Sequence, residues 1–167
     1  MEAYKCILKR RSIRKFLDKS INQKQIKKLL EAAMAAPSAI NRQPWEFYVI
    51  KDKQTQSKIK QVAHYYNYNS SLLIVVAGNK HYFIPGAKEL WVEDCSAATE
   101  NILLAATEMG LGSVWCGIYP KQERIDAVAK ILNTPKKIIP FSLIHIGYPD
   151  EVKESRTQYN LKKIHQI

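Results

Sequence analysis

The 167-residue sequence has little cysteine and no apolar run long enough to cross a membrane. Its three cysteines, Cys6, Cys95 and Cys116, lie far apart and form no C-x-x-C pair. This pattern argues against a disulfide framework and a structural zinc site, so we expect three free thiols. The longest apolar run, residues 72–78, is much shorter than the roughly 20 residues of a membrane-spanning helix.

Three common sequence signals are also missing. The histidines lack the H-x-x-x-H and H-E-x-x-H spacings of metal sites, so we expect no metal. They are His64, His81, His145 and His165. Residues 1–5 lack the apolar stretch and cleavage site of a signal peptide, which favours a cytoplasmic protein. Trp115 stands where a dinucleotide-binding motif beginning at Gly110 needs its third glycine, so that fingerprint is absent.

The composition is that of one soluble globular domain, which we expect to span residues 1–167. Hydrophobic residues make up 46% and charged residues 25% of the chain. The charge is unbalanced, with 26 Lys and Arg against 15 Asp and Glu and a formal net charge of +11. Ten basic residues lie within residues 1–28. Such a segment indicates a solvated surface, or a site for nucleic acid, an anionic membrane or a phosphorylated ligand.

Apolar periodicity predicts five helices and four strands. The helices are expected over residues 2–9, 22–35, 54–63, 89–109 and 121–132, and the strands over 45–51, 72–77, 113–117 and 138–146. The helix over 89–109 is apolar on more than one face, which favours a central position. Helices and strands do not alternate regularly, so the sequence predicts an α+β fold of three layers, in which helices pack around a mostly antiparallel sheet.

The basic residues around position 12 suit a phosphate group. Residues 12–16 read as extended, so Ser12, Arg14 and Phe16 should face one side and Ile13 and Lys15 the other. With the guanidinium groups of residues 10 and 11, this segment could bind a phosphomonoester through bidentate pairs. A solvated basic turn is the alternative.

Two further segments carry candidate site residues. The loop over 37–44 begins and ends with proline and should be stiff. Gly110 is expected to end the long helix, and Gly112 to form a tight turn or to let backbone amides approach a flat ligand.

Other polar and aromatic residues receive structural interpretations. Cys116 has no neighbouring base, so its side chain is expected to be buried and to serve only in packing. Asp94 and Glu100, six residues apart on a helix, should not share a face, so we expect no carboxylate pair. Trp91 and Trp115 are expected in the core.

Five motifs in order give the chain a resemblance to the nitroreductase family, of which it would be a short member. They are Arg-Arg-Ser-Ile-Arg-Lys-Phe at 10–16, Ala-Ala-Pro-Ser-Ala-Ile-Asn-Arg-Gln-Pro-Trp at 35–45, Trp-Val-Glu-Asp-Cys-Ser-Ala-Ala at 91–98, Gly-Leu-Gly-Ser-Val-Trp-Cys-Gly at 110–117 and His-Ile-Gly-Tyr-Pro at 145–149. The resemblance implies a flavoprotein fold and a homodimer with FMN at the subunit interface. It also implies ping-pong electron transfer from NADH or NADPH to a small acceptor such as a nitroaromatic or quinone.

The resemblance also implies three groups of FMN-binding residues. One group would bind the phosphate, ribityl chain and pyrimidine edge: Arg10, Arg11, Ser12 and Arg14. A second would come from the partner subunit's loop: Pro37, Ser38, Ala39 and Asn41. A third would pass the flavin N5 atom: Trp115, Cys116 and Gly117. The flavin would carry the chemistry, so no catalytic side chain is expected, and neither nucleic acid nor a membrane is an expected partner.

The chain departs from the family pattern at two positions. Gln158 replaces the arginine that usually precedes the tyrosine at 159, and we expect Arg156 to supply the lost phosphate contact. Arg42 stands where a small residue is usual and would line the substrate mouth. Residues 150–167 would form an arm on the partner subunit. A flavin-binding sensor and a basic nucleic-acid-binding module remain the alternatives.

Overall fold

The computed structural model describes residues 2–62, 67–87 and 89–167, and it confirms each predicted helix and strand with ends shifted by at most two residues. The helices are α1 Ala3–Lys9, α2 Gln23–Met34, α3 Lys53–Val62, α4 Leu90–Glu108 and α5 Gln122–Leu132. The strands are β1 Trp45–Ile50, β2 Leu72–Asn79, β3 Gly112–Gly117 and β4 Ile138–Gly147. The expected end of the third helix at position 63, and His64, lie outside the described residues.

The four strands form one antiparallel sheet in the order β1-β2-β4-β3. The apolar strand β2 is buried along its whole length because it pairs with β1 on one side and β4 on the other. The shorter strand β3 pairs with β4. This arrangement confirms the expected antiparallel α+β fold.

Helices cover both faces of the sheet, which confirms the three layers. Alternate β2 side chains face opposite ways: Ile74 and Val76 join the core under α2 and α4, whereas Leu73 and Val75 join the core under α3 and α5. Helix α4 contacts all four strands and the two helices α1 and α2. Its apolar residues on several faces are therefore buried, as predicted for a central helix.

Local signals explain where two helices begin and end. Asn22 and Gln25 form the predicted capping box at the start of α2, each side chain accepting from the other's backbone N–H. Gly110 ends α4 with a φ of +72°. Its N–H donates to Thr107 O (3.1 Å) and that of Leu111 to Ala106 O (2.8 Å), the paired bonds of a Schellman motif.

The expected alternation over residues 12–16 is wrong in one respect. Phe16 is buried together with Ile13, while Arg14 is exposed. The reason is long-range packing on two glycines. A Cβ at Gly112 would lie 2.7 Å from Ile13 Cγ2, and a Cβ at Gly147 would lie 2.8 Å from Phe16 Cδ1. Gly112 therefore opens β3 beneath Ile13 and does not form the expected tight turn.

The C-terminal residues divide into two parts. Residues 150–156 run beside residues 8–15, because Asp150 N donates to Lys15 O (2.9 Å) and Arg156 N to Leu8 O (3.3 Å). Residues 157–167 are exposed and present three large apolar side chains and a tyrosine: Tyr159, Leu161, Ile164 and Ile167. Among the described residues, no helix is both long and apolar enough to span a membrane.

Candidate functional site

The basic residues that follow α1 form a short extended strip, residues 10–14, which we call the arginine segment. It lies against the start of β3, because Ile13 N donates to Ser113 O (2.9 Å) and Ser12 pairs with Ser113 in a parallel bridge. Arg14 is exposed, whereas Arg10 and Arg11 are half-buried. The structure thus brings the predicted phosphate-binding residues to one edge of the sheet.

A carboxylate on the central helix holds one of these arginines. Arg10 Nε lies 3.3 Å from Glu100 Oε1. Burial raises the pKa of Glu100, and the Arg10 charge opposes that rise. The sequence pattern gave Glu100 no partner other than Asp94, because no local spacing connects it with a residue 90 positions earlier. Glu100 orients Arg10 and leaves its terminal guanidinium nitrogens for other acceptors.

The start of the C-terminal arm braces the same segment. Glu151 Oε1 accepts from the backbone N–H of Arg14 (2.5 Å) and Lys15 (3.3 Å), and the bond from Arg14 is the main reason that the pKa of Glu151 is lowered. Lys153 Nζ donates to Ser12 O (2.7 Å) and lies 3.3 Å from Glu151. Glu151 and Lys153 were missed by sequence analysis, because their partners are backbone atoms far away in the sequence.

Two more bonds join the arm to the arginine segment. Arg11 Nη1 donates to the carbonyl oxygen of Glu154, and the backbone of Arg156 is bonded to Leu8. The position of its backbone therefore places Arg156 beside the arginine segment. The backbones that carry Arg10, Arg11, Arg14 and Arg156 thus come from two ends of the chain and run beside each other.

Strand β3 borders the arginine segment with a neutral thiol and an aromatic ring. Cys116 is 2% exposed, and burial raises its pKa to about 12 although Arg14 and Arg124 act in the opposite direction. The half-buried Trp115 packs against Phe141 with ring centroids 5.9 Å apart. All three cysteines are free and buried, as expected. Cys116 thus remains a protonated thiol at neutral pH and is a poor nucleophile.

The end of β3 is tied to helix α5. The carbonyl oxygen of Gly117 accepts from Arg124 Nη1 at 3.1 Å. Beyond it, Tyr119 packs edge-on to the indole of Trp91, with ring centroids 5.0 Å apart. Trp91 is buried, as predicted. The backbone over residues 115–117 is therefore held by its pairing with β4 and, at Gly117, by Arg124 of α5.

The proline-bounded loop combines backbone strain with a hydrogen bond between its two ends. Ile40, Asn41 and Gln43 have positive φ values of 43°, 56° and 49°. Such values are uncommon outside glycine, and for a β-branched residue they mark a genuine outlier. Ser38 Oγ accepts from Gln43 N at 3.0 Å. The Ile40 side chain is 78% exposed, and backbone strain of this kind clusters at functional sites.

Asp94 fixes this loop to the central helix. Its Oδ1 accepts from Ala39 N at 2.8 Å, and the residue is buried. Glu100, which holds Arg10, is six residues further along α4, an axial rise of about 9 Å. The predicted separation of Asp94 and Glu100 is confirmed: each carboxylate has its own partner. A lone aspartate among the apolar residues of a buried helix was the available signal for such a role.

The arrangement can bind an anion with fixed cations and can present a backbone edge beside it. Guanidinium groups pair well with phosphate oxygens. Arg10 uses its Nε and Arg11 its Nη1 in bonds that hold the segment, and the other bonds reach backbone atoms. In residues 2–62, 67–87 and 89–167, no group of three or more His, Cys, Asp or Glu is placed to hold a metal ion.

The chain is similar in sequence and in fold to known proteins. The family model described as "Nitroreductase family" matches residues 7–67 and 65–148. A protein of Archaeoglobus fulgidus named "Putative NADH dehydrogenase/NAD(P)H nitroreductase" is 42% identical over 170 residues, covering 99% of this chain and 97% of its own length.

Two solved structures have the same fold. One, from Parabacteroides distasonis and carrying that same name, has a TM-score of 0.93 and 36% identity, and the match covers 99% of this chain and 98% of the other. An FMN-dependent nitroreductase of Clostridium difficile has a TM-score of 0.87 and 31% identity, with 96% of each chain covered.

Proposed function

The chain belongs to the nitroreductase family of oxidoreductases, which act with NAD(P)H, and we propose that it transfers electrons from NADH or NADPH to a small acceptor through bound FMN. The proposed mechanism is ping-pong, with nitroaromatics or quinones as acceptors. The observation that carries the proposal is the arginine segment, residues 10–14, braced beside the rigid edge of β3.

The residues at this edge fit FMN. Arg10, Arg11, Ser12 and Arg156 would hold the phosphate and ribityl groups, and Arg14 would face the pyrimidine edge. FMN, when bound, would supply the two-electron chemistry between nicotinamide and acceptor. The backbone of Trp115, Cys116 and Gly117 would orient the ring system. The fixed Arg14 guanidinium would favour negative charge at the pyrimidine edge, an effect worth on the order of 3–4 kcal/mol for preorganised donors in enzymes.

The second half of each site would come from a partner subunit, so we propose a homodimer. One loop would lie against the partner's flavin through Pro37, Ser38, Ala39 and Asn41. The partner subunit would then cover the exposed Ile40 side chain of the same loop. Residues 150–167 would form an arm whose outer part packs on the partner. Its exposed apolar side chains support this proposal.

The central experiment is an anaerobic titration of purified protein with NADH and NADPH, followed by its visible spectrum. We expect a yellow protein whose flavin bands bleach. A colourless protein that binds nucleic acid would contradict the proposal, and a yellow protein that resists bleaching by both donors would be a sensor.

The cofactor site is tested with Arg10→Ala and Arg14→Ala. Each should weaken FMN binding about ten- to a hundredfold, because a hydrogen bond to a charged group is worth roughly 1.5–3 kcal/mol. Lys24→Ala, an exposed lysine of α2, is the matched control for lost positive charge. If all three variants bind FMN as tightly as the wild-type protein, the arginine segment is only a solvated basic surface.

The dimer is tested by removing residues 157–167. We expect a truncated protein that aggregates or loses flavin, measured by gel filtration with light scattering and by absorbance. A truncated protein that remains monomeric, monodisperse and yellow would refute the role of the arm.

A further inference from the structure

A groove of about 460 Å³ opens at the first turn of α4. Phe83 and Trp91 stack in its wall with ring centroids 5.0 Å apart and planes 8° from parallel. Tyr119 meets Trp91 edge-on. The remaining lining residues are Lys80, Ile84, Pro85, Glu89 and Ile139. The groove therefore offers flat, largely apolar walls of a size that suits a single aromatic ring with substituents.

The strained loop places Arg42 beside this groove. Arg42 Nε donates to the carbonyl oxygen of Tyr82 at 3.2 Å, and Tyr82 directly precedes the wall residue Phe83. The same loop is bonded to Asp94, which lies three residues after the wall residue Trp91. Arg42 is thus held next to the groove by its bond to Tyr82, and its loop is anchored to α4, the helix that carries the wall residue Trp91.

The guanidinium of Arg42 is free to bind an anion. Its Nε is occupied by Tyr82, and both terminal nitrogens remain for a bidentate pair with a carboxylate. The side chain is exposed, and among the ion pairs of the described residues none involves Arg42. The positive φ values on either side of it, at Asn41 and Gln43, fix the backbone from which it projects. Because this backbone is already ordered, less conformational entropy is lost when a ligand binds.

The charges at the groove favour an anionic ligand. Lys80 and Arg42 are cations and Glu89 is the carboxylate that opposes them. The chain as a whole carries a formal net charge of +11, which also attracts anions from solution.

We propose that the groove binds the electron acceptor and that it takes a planar aromatic carboxylate, with the ring against the wall that contains Phe83 and Trp91 and the carboxylate on Arg42. This inference rests on the proposed function, in which the loop containing Arg42 borders a flavin. It deepens that proposal by naming the acceptor's charge and the residue that selects it. Arg42 is then a specificity-determining residue.

The probes are 4-nitrobenzoate and its neutral isostere 4-nitrobenzamide. The reaction followed is balanced for one NADH: with one proton it reduces the nitro group to nitroso, giving NAD⁺ and water. Equilibrium binding is measured separately, by quenching of tryptophan fluorescence in the oxidised holoprotein, because Trp91 lies in the groove wall. The binding measurement does not depend on turnover, so it tests the groove even if no electrons are transferred.

We expect the wild-type protein to bind 4-nitrobenzoate at least tenfold more tightly than 4-nitrobenzamide. Arg42→Ala should reduce this preference about tenfold or more, in both the Kd ratio and the kcat/KM ratio. Arg42→Lys should keep part of it, because the charge remains but the planar fork is lost. Lys24→Ala is the control for net charge and should keep the full preference.

Two results would overturn the inference. One is equal binding of the two probes by the wild-type protein, and the other is a preference that survives in Arg42→Ala. Failure of NADH and NADPH to bleach the flavin would instead contradict the proposed function, and the fluorescence titration would still decide whether the groove selects a carboxylate.

Discussion

Replacing Gly112 by alanine should weaken FMN binding without touching a side chain that binds it. A Cβ at this position would lie 2.7 Å from Ile13 Cγ2 and 2.9 Å from Ile13 Cβ. Both atoms are close to the Ile13 backbone, so no rotation of a flexible side chain can relieve the contact. The arginine segment must instead move away from β3, and Arg14 moves with it.

The expected size of the effect follows from the contacts that this movement breaks. Ordinary carbon contacts begin near 3.5 Å, so the separation from Ile13 must grow by a large fraction of an ångström. The 2.9 Å bond from Ile13 N to Ser113 O would then lengthen toward the limit for a hydrogen bond. Overpacking typically costs 1–3 kcal/mol. We expect Gly112→Ala to lower the free energy of unfolding by about 1–3 kcal/mol and to weaken FMN binding about tenfold.

Gly110→Ala is the matched control two residues away. Gly110 has a φ of +72°, and a Cβ added there would have no atom beyond its chain neighbours within 4 Å, so alanine adds strain without a collision. A left-handed conformation costs a non-glycine residue roughly 1–2 kcal/mol. The control should thus lower stability by a similar amount and leave FMN affinity nearly constant.

The assays are urea unfolding of the apoprotein and FMN titration by flavin fluorescence. We expect the two variants to differ in FMN affinity while resembling each other in stability. An equal loss of affinity in both would mean that FMN binding follows overall stability. Full affinity in Gly112→Ala would mean that the position of the arginine segment does not matter.

Two further predictions concern buried titratable groups. Cys116→Ser should retain NADH-driven flavin bleaching in stopped-flow measurements, because burial raises the Cys116 pKa to about 12 and keeps the thiol protonated; a thousandfold loss with FMN still bound would show that the thiol takes part in the chemistry. Burial lowers the pKa of His145 to about 3, below the 6.5 of an unfolded chain, so its contribution to stability is present above pH 6.5 and is lost as the pH falls toward 3. Between pH 7 and pH 5 the wild-type protein should therefore lose about 2 kcal/mol more unfolding free energy than His145→Gln, by urea unfolding at the two pH values; parallel losses in the two proteins would contradict this.

Sequence periodicity was enough to place the helices and strands, because their signals are local. The capping box at Asn22 and the glycine that ends α4 each need only a few neighbouring residues. The three layers followed from the irregular order of the elements and from the apolar faces of the long helix. These features depend on short-range geometry, which the sequence carries directly.

The site was less predictable where its geometry depends on distant residues. Alternation placed Phe16 with Arg14, yet Phe16 turns inward because Gly147 leaves space for its ring. Glu151 and Lys153 stabilise the arginine segment through backbone atoms, which no side-chain pattern can reveal. Asp94 is similar, since its partner is the backbone N–H of Ala39. Resemblance to the family predicted which segments form the site but not which residues hold those segments in place.

In the proposed homodimer each chain contributes to two sites, and the central helix α4 carries the residues that hold both contributions. Asp94 holds the loop and Glu100 holds Arg10, and six residues on a helix turn these carboxylates to different sides. In the proposed homodimer the loop borders the partner's flavin, whereas Arg10 binds the flavin of its own subunit. Because α4 is largely buried and spans 19 residues, it sets the distance between these two half-sites. In the proposed homodimer, α4 would therefore align the two half-sites that each subunit contributes.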